Sequence, residues 1–143
     1  MIFSKICIAS DHAGYELKEK LKDYLIDKDI PIIDLGPLSS NSVDYPDFAK
    51  KVSRRITLQK SDAGILICGS GTGMAITANK FKGIRAAQCY DKKSTILSRQ
   101  HNNANIICLG SRVLKKNDAL SFVNYFLKTK FEGGRHQKRI DKI

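Results

Sequence analysis

Residues 65–75 read ILICGSGTGMA, an apolar run that ends at Cys68 and is followed by three glycines spaced two positions apart. The apolar half has the length and the β-branched character of a buried strand, and the glycines are typical of the short turn that leads from a strand into a helix. Strand, turn and helix in this order form the repeating unit of a parallel sheet. This stretch therefore indicates the fold class.

Four other runs of similar character predict the remaining strands of that sheet. The five candidate strands are residues 5–9, 31–35, 63–68, 85–89 and 105–109. The segments between and after them have apolar residues at helical spacing, as in Leu17, Leu21 and Leu25, and the spacing is weakest after Gly73 and after Asp91. The alternation predicts one α/β domain over residues 1–143, a three-layer Rossmann-like sandwich with a five-stranded parallel sheet and helices on both faces.

Composition narrows the class of protein. A hydrophobic share of 42% and a charged share of 27% predict a folded chain rather than a disordered one. No run of eighteen apolar residues and no export signal is apparent, and the four cysteines form no CxxC pair, so we expect a cytoplasmic protein with reduced thiols and no membrane partner. The net charge of +11 favours anionic partners, either nucleic acid or a small phosphorylated ligand, although a solvated basic surface would look the same.

The glycine turn was tested against two nucleotide-binding motifs. A dinucleotide-binding G-x-G-x-x-G would need a third glycine at position 74 or 76, where the chain has Met74 and Ile76, and no Gly-Lys-Ser/Thr closes a phosphate-binding Walker loop. What remains is either a tight turn or a nest of backbone N–H groups that binds an anion or a developing oxyanion. We favour the nest.

Ligands of open parallel sheets bind beyond the carboxyl ends of the strands. Candidate site residues are therefore those in the loops at that edge. Cys68 stands at such an end beside a helix N-terminus, where a thiolate is stabilised and can act as nucleophile or base. Asp11 and His12 follow the first strand, and we expect His101, before the last strand, near the same edge. None of these residues has the spacing of a metal site, so no metal is expected.

A basic segment, GGRHQKR at 133–139, follows the last strongly amphipathic helix. Its arginines could hold a phosphate, or the segment could be a plain basic tail. We expect residues 131–143 to fold back on the site or to reach a partner subunit.

Five segments carry a family resemblance in addition. They are SDHAGYELK (10–18), DYPDFA (44–49), GILICGSGTGMAITANKFKGIRAA (64–87), LSRQHNNANIICLGSR (97–112) and FEGGRHQKRI (131–140). Together they resemble the ribose-5-phosphate isomerase B family, within the wider group that includes galactose-6-phosphate isomerase subunits. The resemblance implies interconversion of D-ribose 5-phosphate and D-ribulose 5-phosphate through an enediolate, in the non-oxidative pentose phosphate pathway, without metal or cofactor. It also implies a homodimer or homotetramer with sites at the subunit interface.

The resemblance further implies a role for each site residue. Cys68 would be the general base, as in the branch of the family that uses cysteine rather than a later glutamate. The turn made of Gly69, Ser70, Gly71, Thr72 and Gly73 would stabilise the enediolate, with Ser70 where relatives often have threonine. His101 would open the furanose ring, Asp11 and Asn102 would bind sugar hydroxyls, and Tyr45 would line the pocket. The phosphate would be held by His12, Arg112, Arg135 and Arg139.

Two alternatives stay open on the sequence. One is an isomerase of galactose 6-phosphate or allose 6-phosphate, because the pocket depth that admits a sixth carbon is not visible in the sequence. The other is a non-catalytic α/β protein that binds a nucleotide or nucleic acid, because a fold by itself does not determine function. The joint presence of Cys68, His101 and the two tail arginines favours the isomerase.

Overall fold

The computed structural model describes residues 1–143 as five strands and six helices. In chain order they are β1 (Ile6–Ser10), α1 (Tyr15–Ile26), β2 (Ile32–Asp34), α2 (Tyr45–Thr57), β3 (Ala63–Cys68), α3 (Thr72–Ala78), β4 (Ala86–Gln88), α4 (Lys92–Gln100), β5 (Ile106–Gly110), α5 (Lys116–Lys128) and α6 (Arg135–Ile140). All five predicted strands are confirmed, with β2 and β4 shorter than the apolar runs that indicated them.

The strands form one parallel sheet in the order β2-β1-β3-β5-β4. The central strand β3 is buried along its whole length and pairs with β1 on one side and β5 on the other. Its last residue, Cys68, is paired with Gly110 at the carboxyl edge. The sequence therefore predicted the sheet correctly, and the glycine turn leaves the sheet at its centre.

Side chains of β3 alternate between two hydrophobic cores, one on each face of the sheet. Ile65 and Ile67 pack into a core that includes Leu21 of α1 and Phe126 of α5. Leu66 and Cys68 pack into the opposite core with residues of α2 and α3. Because successive residues of a strand point to opposite faces, a continuous apolar run is needed when both faces are covered. The three-layer sandwich is confirmed.

The helix α6 was not predicted. Its sequence, RHQKRI, has no apolar stripe, so periodicity indicated only a basic segment after α5. Two consecutive glycines with positive φ, Gly133 at +66° and Gly134 at +55°, turn the chain back, and His136 is then buried against the body of the domain. None of the six helices combines the length and the apolar character needed to cross a bilayer.

Candidate active site

The thiol of Cys68 lies where the core meets the carboxyl edge of the sheet. The residue is 4% exposed, and its Sγ accepts a hydrogen bond of 3.2 Å from the backbone N–H of Gly71. The turn that follows β3 thus interacts directly with the candidate base.

Glycine is required at two positions of this turn for different reasons. Gly71 has φ of +82°, and a Cβ there would lie 3.0 Å from the carbonyl carbon of Leu109. Gly73 lies beneath the ring of Tyr45, and a Cβ there would lie 2.5 Å from that ring. The first glycine therefore permits the backbone conformation, and the second permits Tyr45 to approach the turn.

Residues at the end of β4 and just after β5 brace the turn, both on the same side of β3. The side-chain amide of Gln88, at the end of β4, donates to the carbonyl of Ser70 and to Oγ1 of Thr72, both at 2.9 Å. The N–H of Arg112 donates to the carbonyl of Gly69 at 3.0 Å. Sequence reasoning did not select Gln88, although a polar residue near the end of a candidate strand, at the ligand-binding edge, was the available signal.

The first loop brings a carboxylate and an imidazole to the same edge. Asp11 is buried, and its Oδ1 accepts a hydrogen bond of 2.9 Å from the N–H of Gly14. His12 is exposed, and its Nδ1 accepts a hydrogen bond of 3.2 Å from the N–H of Val43. These contacts tie the loops after β1 and β2 together beside Cys68.

These groups surround a cleft of about 470 Å³, which we call the carboxyl-edge cleft. It is lined by Asp11, Tyr45, Cys68, Gly69, Ser70, Gly73, Arg112 and Val113. All of them except Val113, an exposed apolar residue, were predicted as site residues from the sequence. One side of the predicted site is therefore assembled within a single chain.

The expectation that His101 lies near the same edge is wrong within one chain. His101 caps the C-terminus of α4, and this helix runs back from the carboxyl end of β4 to the amino end of β5. The amino and carboxyl ends of the paired segments of β3 and β5 are separated by four residue steps, or roughly 13 Å at the usual rise of a strand. Crossover geometry places every residue just before a parallel strand at the amino edge.

A second group of residues forms at that amino edge, and we call it the amino-edge cluster. The rings of His101 and His136 stack with their centroids 4.2 Å apart and their planes 13° apart. The carboxylate Oε2 of Glu132 lies 3.6 Å from Nε2 of His136 and 4.0 Å from Nε2 of His101. The cluster consists of His101, Asn102, Glu132, Arg135, His136 and Arg139.

The cluster was tested as a metal centre because donor atoms of His101, Glu132 and His136 lie within 4.8 Å of one another. Metal ligands direct their lone pairs toward one point about 2 Å away. Stacked, nearly parallel imidazoles direct their in-plane lone pairs side by side instead. The arrangement is better suited to sharing a carboxylate than to chelating an ion.

The chain has four free cysteines, and burial raises the thiol pKa of three of them. Burial raises the pKa of Cys7 to about 11 and raises the pKa of Cys108 well above its ordinary value. Burial raises the pKa of Cys89 as well. These three thiols stay protonated and act as small core residues. Cys68 is the cysteine that lines the carboxyl-edge cleft.

Comparisons with known proteins agree with this site. The ribose/galactose isomerase family matches residues 6–143. The chain is 48% identical to the probable ribose-5-phosphate isomerase B of Mycoplasma genitalium over 141 residues, which cover 96% of this chain and 92% of that protein.

Solved structures agree as well. A ribose 5-phosphate isomerase from Thermotoga maritima superposes with a TM-score of 0.95 at 52% identity, covering 97% of this chain and 96% of that one. Ribose-5-phosphate isomerase B of M. genitalium with bound ribulose-5-phosphate superposes with a TM-score of 0.92 at 46% identity, covering 96% and 92%. With a matching family model over nearly the whole chain and relatives of this similarity, the chain belongs to the ribose/galactose isomerase family.

Proposed function

We propose that this chain interconverts D-ribose 5-phosphate and D-ribulose 5-phosphate, with Cys68 as the general base. The observation that supports this most directly is the position of the Cys68 thiol in a cleft, with the N–H of Gly71 directed at its sulfur. An aldose and a ketose interconvert when one proton moves between C2 and C1. A base beside both carbons and donors for the oxygens are what this reaction needs.

The proton transfer proceeds through an enediolate. Cys68 removes the proton from C2 of the open aldehyde, and negative charge develops on the oxygen of C1. The hydroxyl proton on the oxygen of C2 passes to the oxygen of C1, and the same thiol returns the first proton to C1, which leaves the carbonyl at C2. The turn from Gly69 to Gly73 presents backbone N–H groups at the N-terminus of α3, where they stabilise that oxygen. Gln88 holds this turn in place through Ser70 and Thr72.

Substrate binding is divided between the two groups of residues. Asp11 and Tyr45, together with Arg112, line the cleft that contains the base. His101, Asn102 and the arginines Arg135 and Arg139 belong to the amino-edge cluster. His101 takes the proton of the C1 hydroxyl and returns it to the ring oxygen while the bond between C1 and that oxygen breaks. His12 and the arginines hold the phosphate, which orients the sugar.

We propose that the complete site forms between two copies of the chain, in a homodimer or a homotetramer. The separation of the carboxyl-edge cleft from the amino-edge cluster supports this arrangement, because one chain does not bring Cys68 and His101 together. A two-fold axis that sets the cleft of one subunit against the amino-edge cluster of its partner would create two identical sites. The segment 131–143 would thereby reach the partner subunit, in the cytoplasm where the substrate is made and used.

The alternative substrates are less favoured. The matching family includes galactose isomerases, but the relatives with an assigned activity described above are ribose-5-phosphate isomerases. No residue at the site calls for a cofactor or for nucleic acid, and the net charge of +11 suits a phosphorylated substrate equally well.

The deciding experiment compares kcat/KM of the purified chain for ribose 5-phosphate, galactose 6-phosphate and allose 6-phosphate. We expect the pentose phosphate to be preferred. A preference for either hexose phosphate would assign the chain to the other activity of its family. Retention on DNA without turnover of any sugar phosphate would contradict enzymatic function altogether.

A further inference from the structure

The buried histidine of the short last helix contacts the histidine that opens the sugar ring in the proposed reaction. His136 is 7% exposed, whereas the side chain of His101 is 38% exposed and presents one face to solvent. The two rings stack with an interplanar angle of 13°. His136 thus forms a fixed platform beneath an imidazole that is accessible from outside the chain.

The backbone holds this platform in place. The N–H of Glu132 donates to the carbonyl of Gln100 at 3.1 Å, directly before His101 in the sequence. The N–H of His136 donates to the carbonyl of Gly133 at 3.0 Å. A Cβ at Gly133 or Gly134 would meet no atom within 4 Å, so these glycines serve the backbone conformation alone. The turn between α5 and α6 therefore places both Glu132 and His136 next to His101.

The charges around His101 favour one tautomer of its imidazole ring. Glu132 is the nearby acidic group, and its carboxylate faces Nε2 of both rings. Burial, together with the neighbouring His101 and Arg135, lowers the pKa of His136, so this ring is neutral at pH 7. The cations in the surroundings are Arg135 and Arg139 of α6 and Arg85, whose Nε donates to the carbonyl of Asn102 at 3.0 Å.

We propose that His136 and Glu132 are positioning residues for His101: His136 holds the plane of its ring, and Glu132 keeps the proton on Nε2 so that Nδ1 accepts the proton of the substrate. This inference rests on the proposed function and extends it to two residues of the last turn and helix. The Glu132 side chain is 50% exposed, and its carboxylate acts on the imidazole as the acid does in other acid–imidazole pairs, by selecting the tautomer and stabilising the imidazolium that forms. The proton taken from the C1 hydroxyl is given to the ring oxygen as the bond between C1 and that oxygen breaks.

The test uses the fact that only one of the two substrates forms a closed furanose ring. Ribulose 5-phosphate has its C5 oxygen esterified and is not a furanose, whereas ribose 5-phosphate is a furanose and has to open. Exchange of the C1 hydrogen of ribulose 5-phosphate with D₂O therefore reports on Cys68 without ring opening. Isomerisation of ribose 5-phosphate reports on both steps. The variants are His136→Ala, His136→Phe and Glu132→Gln in the full chain, with Lys28→Ala, in the exposed turn after α1, as the control.

For His136→Ala and Glu132→Gln we expect kcat for ribose 5-phosphate to fall about tenfold or more while C1 exchange is retained, because general acid–base groups contribute factors of this size or larger. His136→Phe keeps a flat ring beneath His101 and should recover a large part of the loss. Lys28→Ala should leave both rates unchanged.

The result separates this inference from the proposed function. Loss of isomerisation and exchange to the same extent in His136→Ala, or unchanged isomerisation in both variants, overturns the positioning role while the wild-type activity stands. Absence of isomerisation and exchange in the wild-type chain instead overturns the proposed function. Circular dichroism and the oligomeric state of each variant confirm that a lost rate is not a lost fold.

Discussion

The backbone N–H of Gly71 donates a hydrogen bond to Sγ of Cys68 at 3.2 Å, so the turn that is proposed to stabilise the enediolate also contacts the proposed base. Gly71 is the N-cap of α3 and has positive φ, which a side chain would disfavour. The same local conformation directs the N–H of Gly71 at the sulfur and lets the N–H of Thr72 donate to Oγ of Ser70 at 3.2 Å.

Replacement of Cys68 tests the base. We expect Cys68→Ala to lower kcat for ribose 5-phosphate by roughly 10²-fold or more and to abolish C1 exchange of ribulose 5-phosphate, because the thiol is the proposed base and the Asp11 carboxylate of the same cleft is bound to the N–H of Gly14. Calorimetric binding of a non-reacting sugar phosphate should persist. Cys7→Ala, on β1 and away from the cleft, is the control and should keep its turnover. Near wild-type turnover in Cys68→Ala would exclude Cys68 as the base.

Replacement of Gln88 tests the bracing of the turn. Gln88→Ala removes both hydrogen bonds that hold Ser70 and Thr72, and the N–H groups of the turn lose their fixed direction. We expect kcat to fall about tenfold with a smaller change in KM, less than the loss of a direct oxyanion donor, which costs about 10²-fold or more. Lys28→Ala, in the exposed turn after α1, is the control. If KM rises and kcat does not change, Gln88 acts on binding and not on the turn.

The close contact between Tyr45 and Gly73 can be tested by adding a side chain at position 73 and then removing the ring at position 45. In Gly73→Ala the new Cβ would lie 2.5 Å from the Tyr45 ring, so the ring has to move. We expect KM for ribose 5-phosphate to rise several-fold. The double variant Gly73→Ala/Tyr45→Ala removes the clash and should behave like Tyr45→Ala alone. Additive losses in the double variant would show that the two residues act independently.

Mixing two inactive variants tests the proposed interface. If each site combines Cys68 of one subunit with His101 of the other, a heterodimer of Cys68→Ala and His101→Ala chains has one intact site. Random exchange of subunits in a dimer should then restore about one quarter of the wild-type activity, because half the dimers are mixed and each has one working site of two. Each variant alone should stay inactive. No recovery after exchange, with mixed dimers demonstrated by mass spectrometry, would contradict a shared site.

A buried ion network beneath the first loops predicts a dependence of stability on pH. Lys18 is fully buried and contacts Asp34 and Glu19 at 2.7 Å, and Lys22 contacts Asp34 at the same distance. Burial would raise the pKa of Asp34, but hydrogen bonds from Lys18 and Lys22 outweigh it, and its pKa is lowered. This contribution to stability is present above the pKa of Asp34 in the unfolded chain and is lost as pH falls through its lower folded value.

We expect Asp34→Asn to lower the free energy of unfolding by about 2 kcal/mol at pH 7, because Lys18 keeps Glu19 as a partner and a fully orphaned charge would cost more. Urea unfolding at several pH values should show the difference from wild type shrinking as pH falls below about 4, near the pKa of aspartate in an unfolded chain. Asp23→Asn, on the exposed side of α1, should change little. A difference that stays constant down to pH 2 would contradict the role of the Asp34 charge.

The sequence by itself determined the parallel sheet, the glycine turn after its third strand and most of the cleft. Strand patterns and glycine turns are local, and in a parallel sheet every turn that follows a strand reaches the same edge. Asp11 and Cys68 could therefore be assigned to one site from their positions in the chain, and the family resemblance added Tyr45 and Arg112.

Only the tertiary structure decided where His101 lies and what surrounds it. Its place at the amino edge follows from the direction of α4 across the sheet, and its stacking on His136 depends on a turn and a helix that have no apolar periodicity. The sequence placed Gln88 near the end of a candidate strand, but its contact with the turn was decided by the pairing of β4 beside β5. Local patterns specify strands and turns, whereas contacts between segments far apart in sequence are set by packing, which no single stretch of sequence contains.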